Sequence, residues 1–412
     1  MMEFKRRKHG GRPAAAATCF TSPTKVLLHL SCLSWLSISF INLLLLTQFA
    51  YAADQIKIGG LFEVRDTNVE IAFRQAIEAV NHDNYLLPNT VLTPQIRYVQ
   101  QPHTIHKKVC SILASGVGAI FGPQKAGTSV HVQSICDALE VPHFKISSEI
   151  TRDITDVASY SHNLYPHPST LAKAFKEVLN SLGWKKFCII YENNNGLIRI
   201  QELIKDEKFS VSLKQLPFSD DYRPILKEAR EEGVTHIVLD IETKNIFTVL
   251  KQAQQVGIMT SYHNYFITSL DLHTVDLEDF RHGGTNLYTL QLVDLHSPAV
   301  QRVIQDWTFE EDPPIGRTNQ IQTEVALMYD AVKVFATALG QHMHSMNINT
   351  TALKCDGDAA WEYGTSLSNF IRMGSLYGLT GLITFDFEGV RSSVNLDMVQ
   401  LTQDGLKSIG KY

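Results

Sequence analysis

The sequence predicts an α/β protein built from two doubly wound lobes. Three observations lead there. Past residue 53, apolar runs of strand length alternate with amphipathic stretches of helical period, the mark of a parallel sheet covered by helices on both faces. The alternation restarts after the proline-bracketed segment Tyr165-Pro166-His167-Pro168. The chain, 412 residues long, has room for two lobes of roughly 150 residues each. Two such lobes with short connections pack with a cleft between them.

The elements follow in order. "IKIGGLF" (56–62) reads as a buried strand, and 69–80 as a helix with Val69, Phe73, Ala76, Ile77 and Val80 on one face. "QIRYVQ" is strand, 104–114 helix, "GAIFG" strand, 128–139 helix and "HFKIS" strand. The second unit opens with a helix at 170–182, the strand "KFCIIY" (186–191) and a helix from Leu197. Strands "FSVSLKQL" and "HIVLDI" flank a helix at 223–232, and another helix covers 245–256. The last third adds helices near 299–308, at 324–339 and at 361–373, then strand-like "LTGLITF" and "NLDMVQL".

Ahead of this alternation lies a different kind of sequence. A basic run, Lys5-Arg6-Arg7-Lys8, precedes an apolar stretch from Val26 to Ala50 without a charged residue, ending in small residues at Ala50 and Ala52. That is the pattern of a secretory signal over residues 1–53, with cleavage after Ala52 or Ala53 and an uncleaved anchor as the alternative. No later charge-free apolar run approaches the ~18 residues of a membrane span. A net charge of −5 gives no electrostatic reason to bind nucleic acid. Export puts Cys110, Cys136, Cys188 and Cys355 in an oxidising compartment, where four cysteines allow three full pairings. Asn349-Thr350-Thr351 is the one N-x-[ST] sequon and lies in a polar stretch that reads as a surface loop, so Asn349 is a glycosylation candidate.

The segment "GAIFGPQKAGTS" (118–129) is one residue from the phosphate-cradling pattern G-x-x-x-x-G-K-[ST]. Threonine stands where the lysine belongs, and Lys125 falls inside the loop, which argues against a nucleotide site. Two uses of Thr128 and Ser129 remain: as caps of the helix that follows, or as hydroxyls that hold an anion such as an amino-acid carboxylate.

The residues around this loop carry a family resemblance. "AIFGPQKAGTSVHVQSICDALEVPHF" resembles the third strand–helix unit of the amino-terminal domains of ionotropic glutamate receptors, kainate type. The likeness continues in order through "GLIRIQELIK", "VGIMTSYHNYFITSLDL", "ALMYDAV", "GLTGLITFD" and "DGLKSIGKY", across essentially all of 54–412. It implies the clamshell of type 1 periplasmic binding proteins, two lobes joined by three crossings. Lobe 1 would span about 54–165 and 313–377, lobe 2 about 166–312 and 378–412, with "GLTGLITF" as one crossing. It also implies that the chain ends where the linker to a glutamate-binding domain begins. The expectation is therefore an extracellular assembly and recognition domain with no ligand-binding core or pore, and no channel activity by itself. Its partners would be homo- or heteromeric receptor subunits, met through the lobe 1 helices 104–114 and 128–139, and extracellular synaptic proteins.

Cys136 falls on a helical apolar face and Cys188 inside "FCIIY", so both read as buried free thiols. Cys110 and Cys355, at a helix end and in a polar loop, are left as the natural pair. The resemblance supports this, because the family's domain carries one disulfide at matching positions. The alternative function is a secreted clamshell that binds an amino acid. Its cleft would use Thr128, Ser129 and Ser147 for the carboxylate, and Tyr191 with Glu192 for the amine. The histidines His103, His106, His342 and His344 lack the spacing of a metal site, and no nucleophile elbow is present, so neither enzyme chemistry nor a cofactor is expected.

Overall fold

The computed structural model describes residues 54–148, 159–308 and 320–412, positions 65 and 358 aside, and the predicted signal segment lies outside them. Two mostly parallel sheets organise these residues. The first has the order β2-β1-β3-β4-β5, from β1 (Asp54–Glu63), β2 (Thr90–Val99), β3 (Ile120–Phe121), β4 (His143–Lys145) and β5 (Ser161–Asn163). Helices α1 (Thr67–His82), α2 (Ile105–Leu113) and α3 (Ala126–Leu139) connect them. β1 is buried continuously from Ile58 to Glu63, as a strand covered on both faces must be. α1 turns Val69, Ala72, Phe73, Ala76, Ile77 and Val80 into the core, the stripe that a 3.6-residue period dictates.

Among the described residues β2 is an edge strand, paired in parallel only with β1. Pro94 sits in its middle, a position a central strand would not tolerate because the imide has no N–H to donate. On the open side the Asn81 side chain takes both backbone groups of Leu92, its Nδ2 donating to the carbonyl at 2.9 Å and its Oδ1 accepting from the N–H at 2.8 Å.

The second sheet has the order β14-β13-β10-β9-β8-β6-β7. Its parallel part comprises β6 (Lys186–Tyr191), β7 (Ser210–Gln215), β8 (His236–Asp240), β9 (Asn264–Ile267) and β10 (Asn286–Gln291). The antiparallel pair β13 (Asp397–Thr402) and β14 (Gly405–Lys411) closes one edge. Its helices are α4 (Pro168–Ser181), α5 (Asn194–Lys205), α6 (Arg223–Glu231), α7 (Thr243–Val256) and α8 (Pro298–Thr308). α4 carries Pro at its first position and α7 ends on Gly257 at φ 86°, the start and stop signals that local sterics favour. α9 (Thr323–Met343) then packs against α1 and against α10 (Gly364–Met373), and is buried on almost every side.

The stretch "LTGLITF" is not one strand. Its Leu379 and Thr380 form the turn of a tight hairpin between β11 (Leu376–Gly378), which precedes the stretch, and β12 (Gly381–Ile383), which opens on Gly381 at φ 82°. The hairpin belongs to a polar knot buried where the chain passes between the two sheets. Asp330, fully buried on α9, accepts hydrogen bonds from the N–H groups of Leu379 and Thr380 at 2.8 and 2.9 Å and from the Thr380 hydroxyl at 2.8 Å. Arg391 donates to that hydroxyl at 2.9 Å and to the carbonyls of Thr380, Leu382 and Ser393. A longer bond reaches the Leu164 carbonyl, just past β5. Burial lowers the Arg391 pKa to about 10 and raises that of Asp330, whose hydrogen bonds and the nearby guanidinium oppose the rise.

Candidate functional site

Each sheet has a point where the strand order reverses, and crevices at the carboxyl ends of such strands are where ligands bind in doubly wound folds. In the first sheet the reversal lies between β1 and β3. Glu63 ends β1, and its carboxylate pairs with Lys125, the residue that caps the start of α3. Thr128 and Ser129 therefore lie inside the first turn, not at the cap. Both are buried, and Thr128 Oγ1 donates to the Lys125 carbonyl at 3.0 Å. The helix start was legible from Thr128, but Lys125 precedes it because Ala126 and Gly127 continue the helix toward the loop. Ser147 is buried past β4, and its carbonyl accepts from Asn163 Nδ2 at 3.3 Å.

In the second sheet the reversal lies between β6 and β8, and here a cavity of about 370 Å³ opens. Its walls come from the starts of α5 and α7, the ends of β8 and β9, and Tyr165, Ser148 and Glu324. Neither Thr128, Ser129, Ser147, Tyr191 nor Glu192 lines it. Glu192 instead holds the start of α7, its Oε2 accepting from the Glu242 N–H and its Oε1 from Asn245 Nδ2, both at 2.8 Å. Tyr191, the last residue of β6, is half-buried.

The dominant feature of the cavity is a pair the sequence did not reveal. Arg199 on α5 donates from Nε and Nη2 to Asp240 Oδ1 at 3.0 and 2.9 Å. Thr268 donates to the same oxygen at 2.6 Å. Asp240 is the last residue of β8 and almost fully buried, and a Cβ at position 196 would overlap its carboxylate, so glycine is required there. Burial opposes the charge of Arg199, but Asp240 and Tyr165 outweigh it and raise the guanidinium pKa. The remaining charged groups of the wall are Glu242, Asp271 and Glu324. Asp271 accepts from the N–H and hydroxyl of Thr323, both at 2.7 Å. Among the described residues, Arg199 is the cation of the wall; it stands with four carboxylates and is bonded to that of Asp240.

Away from the cavity, Cys110 on α2 and Cys355 in the loop after α9 form a disulfide with Cα atoms 5.6 Å apart, closing a sequence separation of 245 residues. Cys136 and Cys188 are buried free thiols. The same loop is tied down by the Leu353 N–H on the Leu113 carbonyl at 3.0 Å and by Trp361 Nε1 on the Asn349 carbonyl at 3.2 Å. Asn349 itself is exposed. A Cys110→Ser, Cys355→Ser variant is expected to lose about 2–4 kcal/mol of stability, the usual worth of a long-loop disulfide. Chemical denaturation of both forms measures it, and equal midpoints would show that the loop's other bonds already suffice.

The receptor family ligand binding region matches residues 68–404. The chain is 35% identical over 376 residues to the mouse (Mus musculus) glutamate receptor ionotropic, kainate 1, a match covering 86% of this chain and 44% of that protein. The human (Homo sapiens) and Macaca fascicularis proteins of the same name are each 35% identical over 375 residues, covering 86% of this chain and 40% of theirs. The chain thus spans less than half the length of these relatives. No described helix is long and apolar enough to cross a membrane.

Proposed function

The chain belongs to the receptor family ligand binding region, a family of receptor domains and not of enzymes, and from that premise we propose that it works as an extracellular assembly and recognition domain of a kainate-type receptor subunit. The observation that carries this reading is the charge of the cleft. An amino-acid ligand brings a carboxylate, and glutamate brings two. Among the described residues, the cavity offers one guanidinium, already held by Asp240, beside four carboxylates. Such a wall repels the ligand that a sensor of acidic amino acids would have to hold. Titration calorimetry of the secreted domain with glutamate is expected to give no saturable heat. Saturable binding abolished by Arg199→Ala would replace this reading with the amino-acid clamshell.

The partner surface proposed is the outer side of the first lobe. α2 turns Ile105, Val109, Ile112 and Leu113 inward, and its outer side is polar, with His106, Lys107 and Ser111 exposed. On α3, Val132 is buried but Val130 stays 44% exposed, the large apolar side chain this helix leaves on its outer side. Subunits meeting here would bury Val130 beside a polar rim, the usual anatomy of a recognition interface. Sedimentation across micromolar concentrations is expected to show a dimer that Val130→Asp weakens. A monomer at every concentration would remove the assembly reading. Glycosylation at Asn349 and export through the secretory pathway belong to the same proposal.

A further inference from the structure

Among the described residues, one cluster of potential metal ligands lies outside the cleft wall. His106 stands one helical turn before Cys110 on α2, and its Nδ1 and Nε2 lie 3.7 and 3.9 Å from the Cys110 sulfur. The Cys355 sulfur completes the group, with all ligand atoms within 4.8 Å of one another. A tetrahedral zinc ion with Zn–S near 2.3 Å and Zn–N near 2.0–2.1 Å sets its sulfur and nitrogen ligands about 3.5 Å apart. The imidazole is already close to that spacing from the Cys110 sulfur.

While the disulfide is intact its sulfurs are poor ligands, because zinc binds thiolates. We propose that reduction of Cys110–Cys355 converts this corner into a Cys2His zinc site that holds the two cysteines apart and slows their reoxidation. Two equivalents of a small thiol supply the electrons: the protein S–S bond breaks, a new disulfide forms between the two thiol molecules, and Cys110 and Cys355 become thiols. Zinc then displaces one proton from each thiol, and neutral His106 supplies the third ligand through whichever ring nitrogen turns toward the ion. Water takes the fourth position, which the exposure of His106 permits. Cα atoms 5.6 Å apart let both sulfurs reach one ion without moving the backbone of α2 or its partner loop. That loop stays anchored through Leu353 and Trp361 when the disulfide is open.

The test compares oxidised and thiol-reduced secreted protein after the reductant is removed under argon. Cobalt(II) is the spectroscopic probe and zinc the competitor. The expected result is one cobalt per reduced chain with a thiolate-to-cobalt charge-transfer band, none in the oxidised chain, and slower disulfide reformation with zinc present. His106→Ala, a change at an exposed position, is expected to weaken zinc binding to the reduced chain at least tenfold. Equal uptake by the oxidised chain overturns the proposal. So does uptake that survives His106→Ala, including uptake by a chain that unfolds on reduction and binds through its thiols alone.

Discussion

Replacing Arg391 with Met is expected to destabilise the protein by about 3–5 kcal/mol, the cost of breaking a buried charge network by removing one member. Arg391 is 2% exposed. Its loss would leave the carbonyls of Thr380, Leu382 and Ser393 without this donor, and Asp330 without the one positive charge that opposes its desolvation. Asp330→Asn should cost a similar amount, because the amide presents a donor to N–H groups that now meet a carboxylate. The two changes act on one knot through the Thr380 hydroxyl, so their combined effect should fall well short of the sum. Denaturant unfolding of the two single variants and the double variant reads both quantities. Single effects below about 1 kcal/mol, or strict additivity, would show that water replaces these bonds without loss.

Stability is also expected to fall steeply in mild acid. His143 and His162 are fully buried in the first sheet, and each has its pKa lowered to about 3. Burial is the main cause for both. The charge of Lys145 adds to it at His143, against a hydrogen bond to the Gly122 carbonyl, and Arg372 adds to it at His162. The neutral rings are bonded in place, His143 to the Gly122 carbonyl at 2.9 Å and His162 to the Ser368 hydroxyl at 3.0 Å. An unfolded histidine takes up its proton near pH 6.5, so between that pH and about 3 the unfolded chain binds more protons than the folded one. Stability is full above pH 6.5 and declines as the pH falls, by about 1.4 kcal/mol per pH unit for each histidine. From pH 6 to pH 4 the pair should remove roughly 5 kcal/mol. Melting temperatures across that range test this, with His143→Gln and His162→Gln flattening the slope. A flat profile in the wild type would mean that the folded protein protonates these rings without penalty.

The buried parallel strands were legible because both faces are covered, which writes an apolar run into the sequence. "KFCIIY" matches β6 to the residue. β5 was not, because Ser161-His162-Asn163 carries no apolar signal, and its burial comes from what packs around it. β9 and β10 went unread because they are short, four and six residues, and polar, turn-forming sequence flanks them. The cleft was harder still. Arg199 and Asp240 are 41 residues apart, and only the order of the strands brings a helix start against a strand end. One signal was available for the knot: Asp330 is a lone charge inside the apolar helix "ALMYDAV", where every neighbour reads as core. A carboxylate kept in such a place needs donors, and the sequence could have prompted a search for them.

The open side of β2 bears on how the chain avoids sticking to itself while it folds. A ten-residue strand with a free flank is a template on which another unfolded copy could lay a strand. Alternate residues present their backbone groups to that flank, and Leu92 is among them because its N–H and carbonyl face Asn81. Pro94 is next in that series and has nothing to donate, and Thr90 before it gives its N–H to the Leu87 carbonyl. An incoming chain would therefore meet three spoiled rungs in succession, then Ile96 with its carbonyl taken by Arg97 Nη1 at 2.8 Å, and find only Tyr98 at the end of the strand. The proline and the asparagine act together as a guard against runaway strand addition, built into the flank from which such addition would begin.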